Sequence, residues 1–250
     1  DWLVLTDVNC MPTNDQWLRS VVNCYGSNTE VVIGYSPYMP KKGLFDEIIR
    51  FDAVQYAMLY LSSALRKHPY MGIGKNLSYR KDLFYRNKGF TSHYTTSVGD
   101  DDLFINQVAK KKNTEVLIDA ENAILTTPPR KFGLWARQKS SRYSTIPQYK
   151  TSGKASQAIF IWSQFLFYAS FIALICLKPA FSLSFGAAYY IPVLAFFFLL
   201  RYGTQMIVWH GTCKRLGEKR LLPGLILLDA LFVILSPILR IMGRMKIGVE

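Results

Sequence analysis

Four short stretches of this chain carry side chains whose types and spacing could do chemistry. The first is Thr6-Asp7-Val8-Asn9-Cys10, where the hydrophobic run Leu3-Val4-Leu5 gives way to an acidic residue and a turn. A carboxylate and an amide two residues apart at a strand end can turn their oxygens the same way and hold a hard cation that bridges two phosphates. A lone Asp there can equally cap a turn. The second is Gly99-Asp100-Asp101-Asp102-Leu103-Phe104. Adjacent carboxylates repel one another, which can raise the proton affinity of one member and suit it to general-base work, while another caps the helix that follows. The third is Met71-Gly72-Ile73-Gly74-Lys75-Asn76-Leu77-Ser78-Tyr79-Arg80-Lys81, whose glycines let the backbone approach a ligand but whose spacing excludes a P-loop. The fourth, Trp135-Ala136-Arg137-Gln138-Lys139-Ser140-Ser141-Arg142-Tyr143, is basic and amphipathic, which suits a substrate role or an anionic lipid surface equally.

These stretches need elements to position them. Val and Ile content predicts strands at Leu3 to Thr6 and Glu30 to Tyr35, with shorter ones at Thr114 to Ile118 and Ala123 to Thr126. Helical periodicity runs from Phe45 to His68 and is stopped by Pro69. Asp100 to Lys112 starts with three aspartates and ends with three lysines, the order a helix dipole favours. Strands alternating with helices imply an α/β layer fold.

Past Ser156 the pattern changes from interleaved to continuously apolar. The runs at 158–177 and 180–200 carry no charge and have the length of bilayer-crossing helices, joined through Lys178-Pro179 as a tight hairpin. A third run, 221–239, contains Pro223, Asp229 and Pro237 and is expected to be a third crossing or, because a carboxylate in hydrocarbon is costly, a re-entrant or interfacial segment. Seven basic and no acidic residues lie between Arg130 and Lys154, and five basic residues between Arg201 and Arg220, so both flanks are expected on the cytoplasmic side. If the third run crossed fully, Arg240, Arg244 and Lys246 would lie outside, which favours the re-entrant form. The expected organisation is a catalytic domain over 1–130, a basic interfacial segment over 131–156 and a membrane region over 157–250.

The formal net charge of +13 is shared by both halves and suits an anionic partner: nucleic acid, lipid headgroup or nucleotide diphosphate. Four scattered cysteines without CxxC spacing indicate neither a zinc site nor a disulfide framework and suit a reducing compartment. His68, His93 and His210 share no ligand-like spacing and are expected to be structural.

The order of the four stretches resembles that of membrane-bound family 2 glycosyltransferases, the group of cellulose, chitin and hyaluronan synthases. The resemblance covers nearly the whole chain: a TDxDC-like element at Thr6 to Cys10, a GxNLxYRK-like segment at Gly74 to Lys81 with Gly89-Phe90 behind it, Gly99 to Phe104, a WxxQK element at Trp135 to Lys139, then membrane helices. It implies a GT-A-type mixed sheet with flanking helices, followed by a helical transmembrane region. Asp7 and Asn9 would hold the donor diphosphate through Mg2+ or Mn2+, and Asp101, with Asp100 beside it, would be the catalytic base. Gln138, Arg142 and Tyr143 would match the QxxRW element over the donor pyrophosphate, and Gly74, Lys75 and Asn76 would meet the acceptor. Asn9 replaces the usual second aspartate, and the QxxRW-like element is one residue longer with Tyr for Trp, so metal affinity and processive synthesis do not carry over directly. The chain opens on a strand, as if the nucleotide-binding first half of the domain lay before it, so by itself it is expected to be inactive.

The expected activity is inverting transfer of a sugar, from a UDP-sugar in the first place, to a carbohydrate or lipid-linked acceptor hydroxyl at the cytoplasmic face of the inner membrane, with no nucleic acid involved. A membrane-anchored binding protein for anionic polymer or lipid accounts for the charge and the apolar runs but leaves the ordered motifs as coincidence.

Overall fold

The computed structural model describes residues 1–91, 99–176 and 187–247. Ser97, Val98 and His93 therefore lie outside the described residues, as do the Lys178-Pro179 connection and the start of the second apolar run. The chain runs through strand β1 (Trp2–Leu5), β2 (Cys10–Pro12), helix α1 (Trp17–Asn23), β3 (Val31–Gly34) and α2 (Leu44–Leu65). It continues through β4 (Leu77–Arg80), α3 (Lys81–Arg86), α4 (Asp100–Val108), β5 (Thr114–Leu117), β6 (Ile124–Thr126) and α5 (Phe132–Tyr143). Three long helices close it, α6 (Thr151–Cys176), α7 (Ala187–Leu216) and α8 (Leu225–Ile247).

The fold is mixed α/β. Four strands form a sheet in the order β1-β4-β3-β5, in which β4 is antiparallel to both β1 and β3 while β3 and β5 are parallel. The central strand β3, Val31-Val32-Ile33-Gly34, is buried on both faces, which is why it reads as an unbroken apolar run rather than an alternation. Its parallel partner β5 is reached only through the α2 to α4 crossover. A second, two-stranded sheet pairs β2 with β6 and holds Cys10 opposite Thr126. It anchors the turn that carries Asp7 and Asn9.

Helix α2 buries Ile49, Phe51, Val54, Ala57 and Leu61 and also, against its apolar pattern, Arg50, Asp52 and Gln55. It ends at Leu65 with Lys67 in the left-handed region at φ 64° and the His68 N–H on the Ser63 carbonyl, a turn that Pro69 then prevents from resuming as helix. Helix α4 ends at Val108, short of the lysines predicted to close it. The Asn113 side chain takes both roles there, accepting from the Lys110 N–H at 2.7 Å and donating to the Val108 carbonyl at 3.2 Å, so the helix stops at a side-chain cap instead of at the basic run.

Helices α6, α7 and α8 are each long and apolar enough to cross a membrane. Ile159, Trp162, Phe165, Leu166 and Ile172 of α6 and Ile191, Phe196, Leu199 and Ile207 of α7 are exposed, a surface that suits hydrocarbon better than water. Helix α8 differs. It turns Leu228, Phe232 and Leu239 inward, with the Phe232 ring 5.3 Å from Phe51 of α2, and leaves Leu227, Ile234, Ile241 and Met245 exposed. It also lies along α5 so closely that a side chain at Gly243 would collide with the Ser140 carbonyl. The costly carboxylate of Asp229 is met inside the helical region by Gln164 (2.8 Å) and Tyr168 (2.9 Å) of α6 and by Arg201 (2.8 Å) and Gln205 (3.2 Å) of α7.

Candidate active site

A cavity of about 510 Å³ opens where the ends of β1 and β3, the turn before β4, helix α2 and helix α5 meet. Asp7 and Asn9 enter it from the turn after β1, where the Cys10 N–H closes on the Asp7 carbonyl at 2.9 Å and the Val8 N–H donates to Asp7 Oδ1 at 2.8 Å. Lys75 and Asn76 enter from the segment before β4. Asn76 donates to the Tyr35 carbonyl at 2.8 Å and accepts from Trp17 Nε1 at 3.3 Å, which holds the β3 and β4 ends at a fixed distance. Gln138 and Arg142 come from α5, where residues 134, 138 and 142 form one i, i+4 row over the cavity.

The acidic triplet lies behind this opening. Gly99 adopts φ 88° and starts α4, so Asp100, Asp101 and Asp102 form its first turn and diverge in environment. Asp100 is exposed, Asp101 is half-buried and Asp102 is buried. Asp101 accepts a short hydrogen bond from the Gly74 N–H, and a Cβ at Gly74 would stand 2.9 Å from Asp101 Oδ2, so only glycine allows this approach. Asp102 accepts from Tyr149 Oη at 2.5 Å and Thr145 Oγ1 at 3.0 Å. Burial first, then the neighbouring Asp101 charge, push the Asp102 carboxyl up to about 7, against the opposing Arg142 charge.

Electrostatics tie the two parts together. Burial acts to lower the Arg142 pKa, but Asp101 and Asp102 outweigh it and keep the guanidinium firmly protonated. Burial and the nearby Arg142 charge pull the Lys75 ammonium down to about 8, while Asp7 and Asp101 pull the other way. Lys75 also lies 4.8 Å from the Tyr38 ring centre. The cleft thus places two cationic side chains between a carboxylate at the β1 end and a carboxylate pair at the α4 start.

Asp7, Asn9, Lys75, Asn76, Gln138 and Arg142 therefore line one cavity. Gly74 and Asp101 stand directly behind the Lys75 turn without lining it, and Asp100 faces solvent. Tyr143 points away: it is buried, its ring lies 6.3 Å from Tyr56, and the Arg240 guanidinium sits 4.3 Å over it from α8. Two cavity residues escaped the sequence reading as a pair. Asp52 of α2 and Lys139 of α5 form a buried ion pair at 2.9 Å, with the ammonium 4.0 Å from the Tyr56 ring centre. Burial raises the Asp52 pKa and lowers that of Lys139, each opposed by the other's charge. Lys139 stands three residues before Arg142, the spacing of the QxxRW pattern, a signal present in the sequence. Asp52 gave only the faint signal of a carboxylate inside an apolar helical run.

Among the described residues no group of three or more His, Cys, Asp or Glu side chains gathers to hold a metal ion. The Asp7 carboxylate and Asn9 amide oxygen at one turn fit a smaller task, a hard cation bound through one or two protein oxygens that takes its other ligands from water and substrate phosphates.

No protein-family profile matches the chain. No curated protein matches it either. Among solved structures it is similar to the mannosyltransferase PcManGT from Pyrobaculum calidifontis, in complex with GDP-Man and Mn2+, at 14% identity and a TM-score of 0.48, over 93% of this chain and 62% of that one. The chain thus spans less than two thirds of that structure's length.

Proposed function

We propose that this chain is the membrane-anchored catalytic part of a glycosyltransferase of the family 2, GT-A type, which moves a sugar from a nucleotide diphosphate, a UDP-sugar in the first place, to an acceptor hydroxyl of a carbohydrate or lipid-linked substrate. The observation that carries this reading is the convergence of Asp7, Asn9, Lys75, Gln138 and Arg142, from three separate stretches, on one cavity with Asp101 of the fourth just behind it. Helices α6 and α7 would cross the membrane, α8 would lie along the catalytic domain as a re-entrant or interfacial segment, and the cavity would face the cytoplasm.

Each residue then has a role set by its chemistry. Asp7 and Asn9 would hold Mg2+ or Mn2+, which when bound neutralises charge on the donor diphosphate. Lys75 and Arg142 face that diphosphate as fixed cations and stabilise the charge that builds as it leaves. Asp101 takes the proton of the acceptor hydroxyl, which attacks the anomeric carbon from the side opposite the diphosphate and inverts its configuration. Asp102, buried against Tyr149 and Thr145, fixes the first turn of α4 from which Asp101 projects.

The test is sugar transfer by membranes bearing the full-length protein, from a panel of UDP- and GDP-sugars, with and without divalent cation. Incorporation from one donor that Asp101→Asn removes, with donor binding retained, supports the reading. No turnover from any donor, with the protein folded in the membrane, rejects it in favour of a binding protein for anionic polymer or lipid. Loss of turnover in Asp52→Asn together with normal turnover in Asp101→Asn would reject Asp101 as the base, because Asp52 is the other carboxylate besides Asp7 that lines the cavity.

A further inference from the structure

A second buried polar assembly joins the cavity wall to the end of a membrane-length helix. Glu218 lies two residues beyond the end of α7, after a turn in which Gly217 takes φ 70°, and it is buried. Its Oε1 accepts from Tyr35 Oη at 2.9 Å. Its Oε2 accepts twice from Arg50, at 2.9 Å from Nε and 2.6 Å from Nη2. Nη2 donates as well to the Lys219 carbonyl at 2.7 Å, so the guanidinium grips the turn by side chain and backbone together. Arg50 belongs to α2, where it also pairs with Asp46 one turn earlier at 3.5 Å.

Tyr35 is the residue after β3 and lines the cavity. Its carbonyl is held by Asn76 and its hydroxyl by Glu218, so both ends of this wall residue are fixed, one from the β4 side and one from the membrane helix. A packing role alone needs no carboxylate in this place. Burial of a charge is costly, and the cost is offset when its oxygens are met by donors, as both are here by three donors from Tyr35 and Arg50.

On the premise that the cavity binds a nucleotide-sugar donor, we infer that Glu218 is a positioning residue, fixing Tyr35 and thereby the cavity wall to the C-terminal end of α7. The membrane-length helix then sets the width of the cleft. Neither Glu218 nor Arg50 touches the cavity, and their effect on the donor passes through the Tyr35 ring.

The inference is tested with the full chain in lipid nanodiscs, comparing wild type, Glu218→Gln, Tyr35→Phe and the double variant. Backbone hydrogen exchange over residues 34–38 reads the anchor directly, and the KM for donor, with the Kd for UDP and GDP, reads its consequence. Each single variant should speed exchange over 34–38 and raise donor KM about three- to tenfold, the loss of one buried hydrogen bond, with kcat nearly unchanged. The double variant should be no worse than the worse single one, because both act on the same contact, Glu218→Gln by removing its charge and Tyr35→Phe by removing it outright. Wild-type exchange and KM in Tyr35→Phe, which keeps the ring and loses only the hydroxyl, overturn the inference even if Glu218→Gln fails to fold. A lower melting temperature and kcat at unchanged KM also overturn it, leaving Glu218 a packing role. If wild type binds neither nucleotide nor sugar donor, the transferase premise falls separately, and the exchange rates alone decide whether the anchor exists.

Discussion

Two carboxylates in this molecule are drawn out of water and surrounded by donors, and they end in opposite conditions. Asp229 in α8 receives four hydrogen bonds from α6 and α7, one from the Arg201 guanidinium, and does not line the cavity. Asp102 receives two, from Tyr149 and Thr145, and besides the Arg142 charge it faces a second carboxylate, Asp101, that leads through Gly74 and Lys75 to the cavity. The first assembly balances its charge on the spot and holds helices together. In the second, burial and the adjacent Asp101 carboxylate raise the Asp102 carboxyl to about 7, so that it holds a proton far more readily than a free carboxylate does.

Substitutions separate the two assemblies. Asp101→Asn should lower transfer by about 10²- to 10⁴-fold, the share a placed base contributes, while leaving nucleotide binding intact in a direct binding assay. Asp229→Ala should instead leave donor KM unchanged and destabilise the helical region by about 3 kcal/mol, the low end for a buried pair, because it leaves the partly buried Arg201 guanidinium without its carboxylate; the melting temperature in detergent reads this. An Asp229→Ala variant with an altered donor KM and wild-type melting would erase the contrast.

Smaller effects sharpen it. Lys75→Met should weaken the donor about tenfold, the loss of one charge-assisted contact. Because the Lys75 ammonium titrates near 8, wild-type donor KM should rise as pH increases through that value, and the variant's KM should stay flat. The last test is on stability. The Asp102 carboxyl is raised from 3.8 to about 7, so the folded state binds its proton more tightly than the unfolded one does. Its contribution is full below pH 3.8 and is lost as pH rises through 7, and Asp102→Asn should remove that part of the fall in melting temperature between pH 4 and 7.

Much of this arrangement was legible in the residues because it depends on local pattern. The unbroken apolar run of β3, the 3.6-residue period of α2, the aspartates at the start of α4 and the charge-free stretch of α6 each follow from short-range sequence. What could not be read depends on partners distant in the chain. Asp102 differs from Asp100 only because Tyr149 and Thr145 fold over it, and nothing in Asp-Asp-Asp says which member will be buried. The Asp52–Lys139 pair and the answering of Asp229 by Arg201 join separate helices, and a helical period shows which face is apolar but not which polar residue on it will be met. The stop at Val108 was misjudged because the dipole argument for Lys110 to Lys112 lost to one Asn side chain.

The tight crossing at Gly243 has a mechanical result. With no room for even a methyl group between α8 and the Ser140 carbonyl, α5 cannot back toward α8, and the roof bearing Gln138 and Arg142 can retreat that way only when α8 moves too. Room at the cavity is therefore cheapest to make on the opposite rim, at the exposed Asp7–Val8 turn, where a few residues can give way without dragging a long helix through its surroundings.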